Sequence, residues 1–176
     1  MHLIPLLIQL LGLLGMILNF ISYQCKNTRN LYLLQAGSGI FFALNFYFLG
    51  AYTGALLNAL NLFRSGSFAL FHKTRARRIA AVLLCLAYLA VGIVTYSGWL
   101  SCMVIFAQLI GTVAMATDSG KVIRLGQLFC VSPLWLIHNV VTHSLGGVLT
   151  ELFNIVSVLF FIFRFGWKKF LNQPSA

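Results

Sequence analysis

Polar side chains are scarce in this sequence, and some of them recur at fixed spacing. The stretch "GALLNALN", residues 54–61, returns ninety-three positions later as "GVLTELFN", residues 147–154. Asn58 and Asn61 are three apart and therefore share a helical face, as do Glu151 and Asn154 at the matching positions. Facing each other, the two pairs would line one polar site whose amides and carboxylate can hydrogen-bond a small solute. Arg64 adds a planar fork of donors suited to an anionic group. His138, beside Asn139, can titrate near neutral pH and relay protons. The expected substrate-binding set is thus Asn58, Asn61, Arg64, His138, Asn139, Glu151 and Asn154.

Each of these residues also has a plainer explanation. The asparagines can serve as interhelical hydrogen bonds worth about 0.6 kcal/mol each. Glu151 can favour the positive end of its own helix, His138 can be an interfacial filler, and Arg64 can snorkel to the membrane face. With the third span starting at Gly54, Arg64 lies about 15 Å deep, where an Arg costs about 2.5–3.5 kcal/mol on insertion scales. No Ser/His/Asp set, Gly-rich phosphate loop, redox pair or metal-type cluster has usable spacing, so neither enzymatic chemistry nor a metal or cofactor is expected.

The elements that must position these residues follow from composition. Hydrophobic residues make up 60% of the 176 and charged ones 8%, with a mean hydropathy of +0.94, whereas a soluble domain carries about 25% charged residues. Lipid is the solvent such a chain requires. A helical span needs roughly 20 apolar residues, and cutting at charged and Gly/Ser-rich breaks yields seven segments: 3–22, 31–49, 54–71, 79–96, 100–117, 125–142 and 147–165. Period-two alternation is absent, which excludes barrel strands and leaves an all-α, polytopic membrane domain over residues 1–176. The first segment lacks a basic leader and a small-residue cleavage site, so it reads as a mature helix.

Orientation follows from the cations. Lys26 and Arg29, then Lys73, Arg75, Arg77 and Arg78, then Lys121 and Arg124, and finally Arg164, Lys168 and Lys169 all fall on one side of a seven-span chain. The loops near Ala51, Gly98 and Ser144 carry no Lys or Arg, so the positive-inside rule places the N-terminus outside and the C-terminus in the cytoplasm. The net charge of +10 is then a topology signal that also attracts anionic lipid headgroups. Without a basic soluble domain, nucleic acid is not an expected partner. Asp118 beside Lys121 reads as a solvated loop charge, and Tyr96, Trp99 and Trp167 as interfacial anchors. Cys25, Cys85, Cys102 and Cys130 read as free small core residues. Homo-oligomerisation is left open.

The repeated motif opens the third and seventh segments. Gln9, Gly12 and Met16 of segment one return as Gln108, Gly111 and Met115 of segment five at an offset of ninety-nine. Asn45 returns as Asn139 at ninety-four. The predicted layout is a three-helix unit (1–72), a linker helix (79–96) and a second three-helix unit (100–167) in the same orientation. Parallel repeats of this kind build transporters whose halves rock about a site between them. The faces carrying Gln9, Gly12 and Asn19, and Gln108 and Gly111, read as close-packing surfaces.

The run "WLIHN", Trp135 to Asn139, followed by "SLGG", Ser144 to Gly147, and Glu151, resembles the signature of the YgjV-type bacterial inner-membrane proteins, and "LGAYTGALLNALN" is similar to the corresponding earlier stretch. The resemblance covers most of the chain and implies an inner-membrane location and fold rather than a substrate. The three-one-three layout resembles the SWEET and PQ-loop transporters more distantly. Those carry helix-bending prolines in both repeats, whereas this sequence has no Pro-Gln pair. It places Pro133 in segment six and Gly39 at the matching position of segment two, and both are candidate hinges. The expected function is a small-solute transporter or facilitator working by alternating access on a substrate that the residues do not identify, an anionic group being the feature that Arg64 would suit. The alternative is a structural or regulatory membrane protein without transport activity.

Overall fold

The computed structural model describes residues 3–24, 28–71, 73–117 and 119–165. Cys25, Lys26, Asp118, Trp167, Lys168 and Lys169 lie outside the described residues. The helices are α1 (Leu3–Gln24), α2 (Thr28–Phe48), α3 (Tyr52–Leu70), α4 (Thr74–Val94), α5 (Trp99–Ala116), α6 (Gly120–Gly126), α7 (Ser132–Val141) and α8 (Leu145–Phe165). A π-helical turn (Gln127–Val131) joins α6 to α7, so the two form one continuous sixth span. Among the described residues the chain is all-helical, with seven helical rods, as befits a membrane protein.

Several rods begin earlier than the sequence cuts suggested. α2 starts at Thr28 rather than 31, α4 at Thr74 rather than 79, and α6 at Gly120 rather than 125. Cations end the apolar runs, but Arg and Lys are good helix formers, and the helix runs on through them into the headgroup region. Arg77 belongs to this extension. It is buried, donates from Nη2 to the Met115 carbonyl at 2.9 Å and lies 5.2 Å from the Phe68 ring centre. A cation there meets the negative end of α5.

Among the described residues, three helices are long and apolar enough to cross a membrane, over Ile4–Ser22, Thr74–Val94 and Trp99–Ala116. The polar residues of α3, namely Asn58, Asn61, Arg64 and Ser65, lower the hydropathy of a 19-residue helix. Large apolar side chains face outward, among them Ile93, Val94 and Phe163, while Asn45, Asn58, Gln108 and Asn154 are buried. Such inversion of the soluble pattern belongs to a protein in lipid. Cys102 is also exposed, which corrects its assignment to the core, and Cys85 and Cys130 are half-buried.

The packing forms a closed ring: α1 on α2, α2 on α3, α3 on α5, α5 on α6 and α7, α7 on α8, and α8 back on α1. Outside this ring α4 lies against α3 and α5. Residues 49–51, 95–98 and 142–144 meet at one end, where Thr53 Oγ1 donates to the Thr95 carbonyl at 2.6 Å and Gln9 Nε2 to the His143 carbonyl at 2.8 Å. Those loops carry no cations, and this is the neutral end. The opposite, basic end carries Lys73, Arg75, Arg77, Arg78, Lys121 and Arg124.

Two turns at the neutral end share one backbone pattern. Leu49 N–H donates to Asn45 O (3.0 Å), Gly50 to Tyr47 O (3.1 Å), Ala51 to Phe46 O (2.9 Å) and Ala55 to Ala51 O (2.9 Å). Ninety-three residues later, Thr142 donates to His138 O (2.9 Å), His143 to Val140 O (3.2 Å), Ser144 to Asn139 O (2.9 Å) and Val148 to Ser144 O (2.9 Å). Both are Schellman-type helix ends with one left-handed residue, Gly50 at φ 76° and His143 at φ 56°. This register sets Asn45 level with His138, one residue away from the Asn45–Asn139 match. The offset of ninety-nine fares differently: Gln9 bonds the α7–α8 turn at 2.8 and 3.1 Å, whereas Gln108 accepts from Arg64 in mid-span. Those two glutamines do not occupy equivalent places.

Of the two candidate hinges, Pro133 has a visible local consequence. It lacks the N–H that would bond the carbonyl four residues back, and its ring would clash there. The wider π-helical turn immediately before it relieves both problems. Gly39 sits in unbroken helix, where an added Cβ would stand 3.1 Å from the Asn58 carbonyl oxygen. Its absent side chain lets α2 and α3 approach closely.

Candidate functional site

Inside the ring is a cavity of about 330 Å³, reached by α1, α2, α3, α5, the sixth span and α8. Six of the seven expected residues line it: Asn58, Asn61, Arg64, Asn139, Glu151 and Asn154. Gly39 lines it as well. At the neutral end its walls, Phe46, Trp135 and Asn139, are buried. Toward the basic end, Gln35, Met115, Ile123 and Gln127 are partly exposed. The cavity therefore opens toward the basic end and is stopped at the other.

The stop is aromatic. Phe46 packs on Trp135 (5.7 Å between ring centres) and on His138 (5.2 Å), and Trp135 meets His138 edge-on at 5.3 Å. Glycine makes this layer possible, because a Cβ on Gly54 would stand 2.8 Å from His138 Cε1 and one on Gly147 2.6 Å from Asn139 Cγ. Beyond the layer a second cavity of about 270 Å³ opens among the neutral-end loops, lined by Thr53, Ser97, Ser101 and Thr142. His138 faces that second cavity and not the central one, so the structure separates it from the other six.

Most of the expected residues in the central cavity have a definite partner. Arg64 donates from Nη1 to Gln108 Oε1 at 2.8 Å, while its Nε is buried without a partner. Gln108 stands nine residues into the 18-residue α5, so the guanidinium lies in mid-span rather than at the membrane face. Asn58 turns its amide back to the Gly54 carbonyl (2.9 Å). Asn61 donates to Asn58 Oδ1 (3.4 Å) and accepts from the Tyr88 hydroxyl (2.8 Å). Glu151 Oε2 accepts from Ser132 Oγ (2.6 Å) and Asn154 Nδ2 (3.3 Å), and Ser132 Oγ in turn accepts from Gln127 Nε2 (2.7 Å). Asn139 Oδ1 is buried without a partner.

Gln108, Tyr88, Gln127 and Ser132 were not among the expected residues. Gln108 reads from the sequence as a packing residue beside Gly111, although a glutamine in mid-span carries the same cost as an asparagine. Tyr88 belongs to α4, the helix outside the ring. Gln127 and Ser132 are five apart, which on an α-helix puts them on different faces; the π-helical turn, with Ser132 N–H bonded to Gln127 O, stacks them. Asn45 proves structural, accepting from Ser144 Oγ (2.6 Å) and donating to the Ile8 carbonyl (2.7 Å).

A polar chamber closed at one end and built between helices of both halves is able to hold a small solute away from lipid. No curated protein matches the sequence, and no solved structure matches it. The model of the Imp-YgjV family, described as bacterial inner membrane protein, matches residues 6–169. That span is nearly the whole sequence, and the chain belongs to this family of bacterial inner membrane proteins.

Proposed function

We propose that the protein is a small-solute transporter or facilitator of the bacterial inner membrane. It works by alternating access between a first unit, α1–α3, and a second, α5–α8, with α4 as the linker. The observation that carries this reading is the central cavity, whose polar wall is supplied by α3 of one unit and α8 of the other. Two further features support it. The ring pairs the units symmetrically, α8 on α1 answering α3 on α5, and the two neutral-end turns repeat at one offset. With the basic end in the cytoplasm and the N-terminus outside, the cavity is in its inward-open state, and the Phe46–Trp135–His138 layer is the outer barrier. Protein fusions to Ala176 and to the loop near Gly98 should report opposite sides of the membrane.

Thiol labelling tests the reading. In a background lacking the four native cysteines, Asn61→Cys and Asn154→Cys should react with a membrane-impermeant maleimide in inside-out vesicles and resist it in right-side-out ones. Labelling from neither side would mean a dry interface, favour the structural or regulatory alternative and overturn the transport reading.

A further inference from the structure

The central cavity holds one cationic and one carboxylate side chain that are satisfied separately. Arg64 leans on a neutral amide, Gln108, and has its Nε buried and unpartnered. Glu151 has no cation among the partners described for it. The hydrogen-bond chain that reaches it has a fixed polarity: Ser132 Oγ accepts from Gln127 Nε2, so its single proton is directed to Glu151 Oε2. Asn154 donates to the same oxygen, and both hydrogen bonds of Glu151 among the described residues fall on Oε2. Two donors aimed at one oxygen suit a carboxylate anion, and Oε1 remains for a ligand.

The two charges are also at different depths. The duplicated turn sets Glu151 level with Asn58, and Arg64 lies six residues farther along α3, about 9 Å at the helical rise. Helical side chains lean toward their N-terminus, here the neutral end, and the longer Arg recovers part of that distance. Several ångströms then separate the guanidinium from the carboxylate, across a cavity of about 330 Å³ lined by amides and hydroxyls.

We infer that the cavity binds a small zwitterion, with its carboxylate on Arg64 and its protonated amine on Glu151. This rests on the transport reading and names its substrate class. A ligand of that kind supplies both missing counter-charges at once, whereas a simple anion leaves Glu151 facing it and a simple amine leaves Arg64 uncompensated, each at a desolvation cost. The separation favours charges held apart by several methylene groups over the close pair of glycine.

The test is thermal unfolding of the purified full chain in detergent with glycine, 4-aminobutyrate and 6-aminohexanoate, each beside its matched monocarboxylate and monoamine. The two longer zwitterions should raise the midpoint by several degrees at millimolar concentration, more than glycine and more than their single-charge counterparts. Glu151→Gln keeps the shape of the side chain and an oxygen for Ser132, and should reduce the zwitterion's shift to that of the monocarboxylate. Arg64→Lys should lower the apparent affinity about tenfold or more, because an ammonium lacks the planar fork. Monocarboxylates that stabilise as well as zwitterions, or a zwitterion preference that survives Glu151→Gln, would overturn the inference and leave an anion transporter standing. A shift from none of the three series overturns it as well. Thiol labelling judges transport independently of all three results.

Discussion

Arg64 shows how little residue type alone decides. Its position in an apolar helix is compatible both with a ligand-binding group and with one that snorkels, and its 2.8 Å bond to Gln108 in mid-α5 sets it away from the membrane face, in a place where the transport reading makes it a ligand. Arg64→Leu is therefore expected to abolish solute uptake in proteoliposomes while leaving the melting temperature unchanged or raised, since an incompletely partnered buried charge is removed. Wild-type uptake in this variant would eliminate Arg64 as a ligand and move attention to Glu151. Tyr88 makes a different prediction. Its buried hydroxyl holds Asn61 Oδ1 at 2.8 Å, so Tyr88→Phe should cost about 1 kcal/mol of stability, seen as a lower unfolding midpoint. Uptake should fall with it if Asn61 must be held in place. The candidate residues were legible wherever α-helical spacing governs them, as with Asn58 and Asn61 or Glu151 and Asn154. Gln127 and Ser132 were not, because their alliance depends on a π-helical turn that no 3.6-residue periodicity contains.

The elements were legible as apolar runs, and their ends less so, because a cation ends an apolar run without ending a helix. How closely two helices approach is set by single atoms. Gly146 lies against the backbone of Gly12 and Leu13, leaving no space for a Cβ between α8 and α1. Gly146→Ala must push two backbones apart, and we expect loss of most folded protein, measured as recovery of a monodisperse species after detergent extraction. His143 predicts the opposite sign. It occupies at φ 56° the place that Gly50 fills at φ 76° in the twin turn, and a non-glycine residue in that conformation costs about 1–2 kcal/mol. Gln9 bonds the backbone carbonyl of His143, which glycine retains. His143→Gly should therefore raise the unfolding midpoint by a few degrees, and a lower midpoint would show that the imidazole contributes more than its backbone conformation costs.

For the whole molecule, seven apolar segments could be read from the sequence, and the proposed three-one-three layout is supported by the offset of ninety-three that the two turns share. The ninety-nine that matches Gln9 with Gln108 joins residues with unrelated partners, a coincidence to which Leu-rich helices are prone. In the proposed division the neutral-end contacts between units are α1 on α8, α3 on α5, the Asn45–Ser144 bond and the packing of Phe46 on Trp135 and His138, and opening the cavity to that side requires all of them to part. At the α3–α5 contact Thr53 Oγ1 stands 3.0 Å from Ser101 Oγ, both side chains being buried. Cysteines there would place their sulfurs within reach of a disulfide, whose Cβ atoms stand about 3.8 Å apart. In the background free of native cysteines, Thr53→Cys with Ser101→Cys should therefore cross-link under mild oxidation and hold the cavity in the state proposed to be inward-open. Uptake should stop on oxidation and return on reduction, while maleimide labelling of an added Asn154→Cys in inside-out vesicles persists throughout, because the cavity mouth at the basic end is untouched. Uptake that continues in the fully cross-linked protein would show that α3 and α5 move as one body, and the rocking of one unit against the other would have to be abandoned.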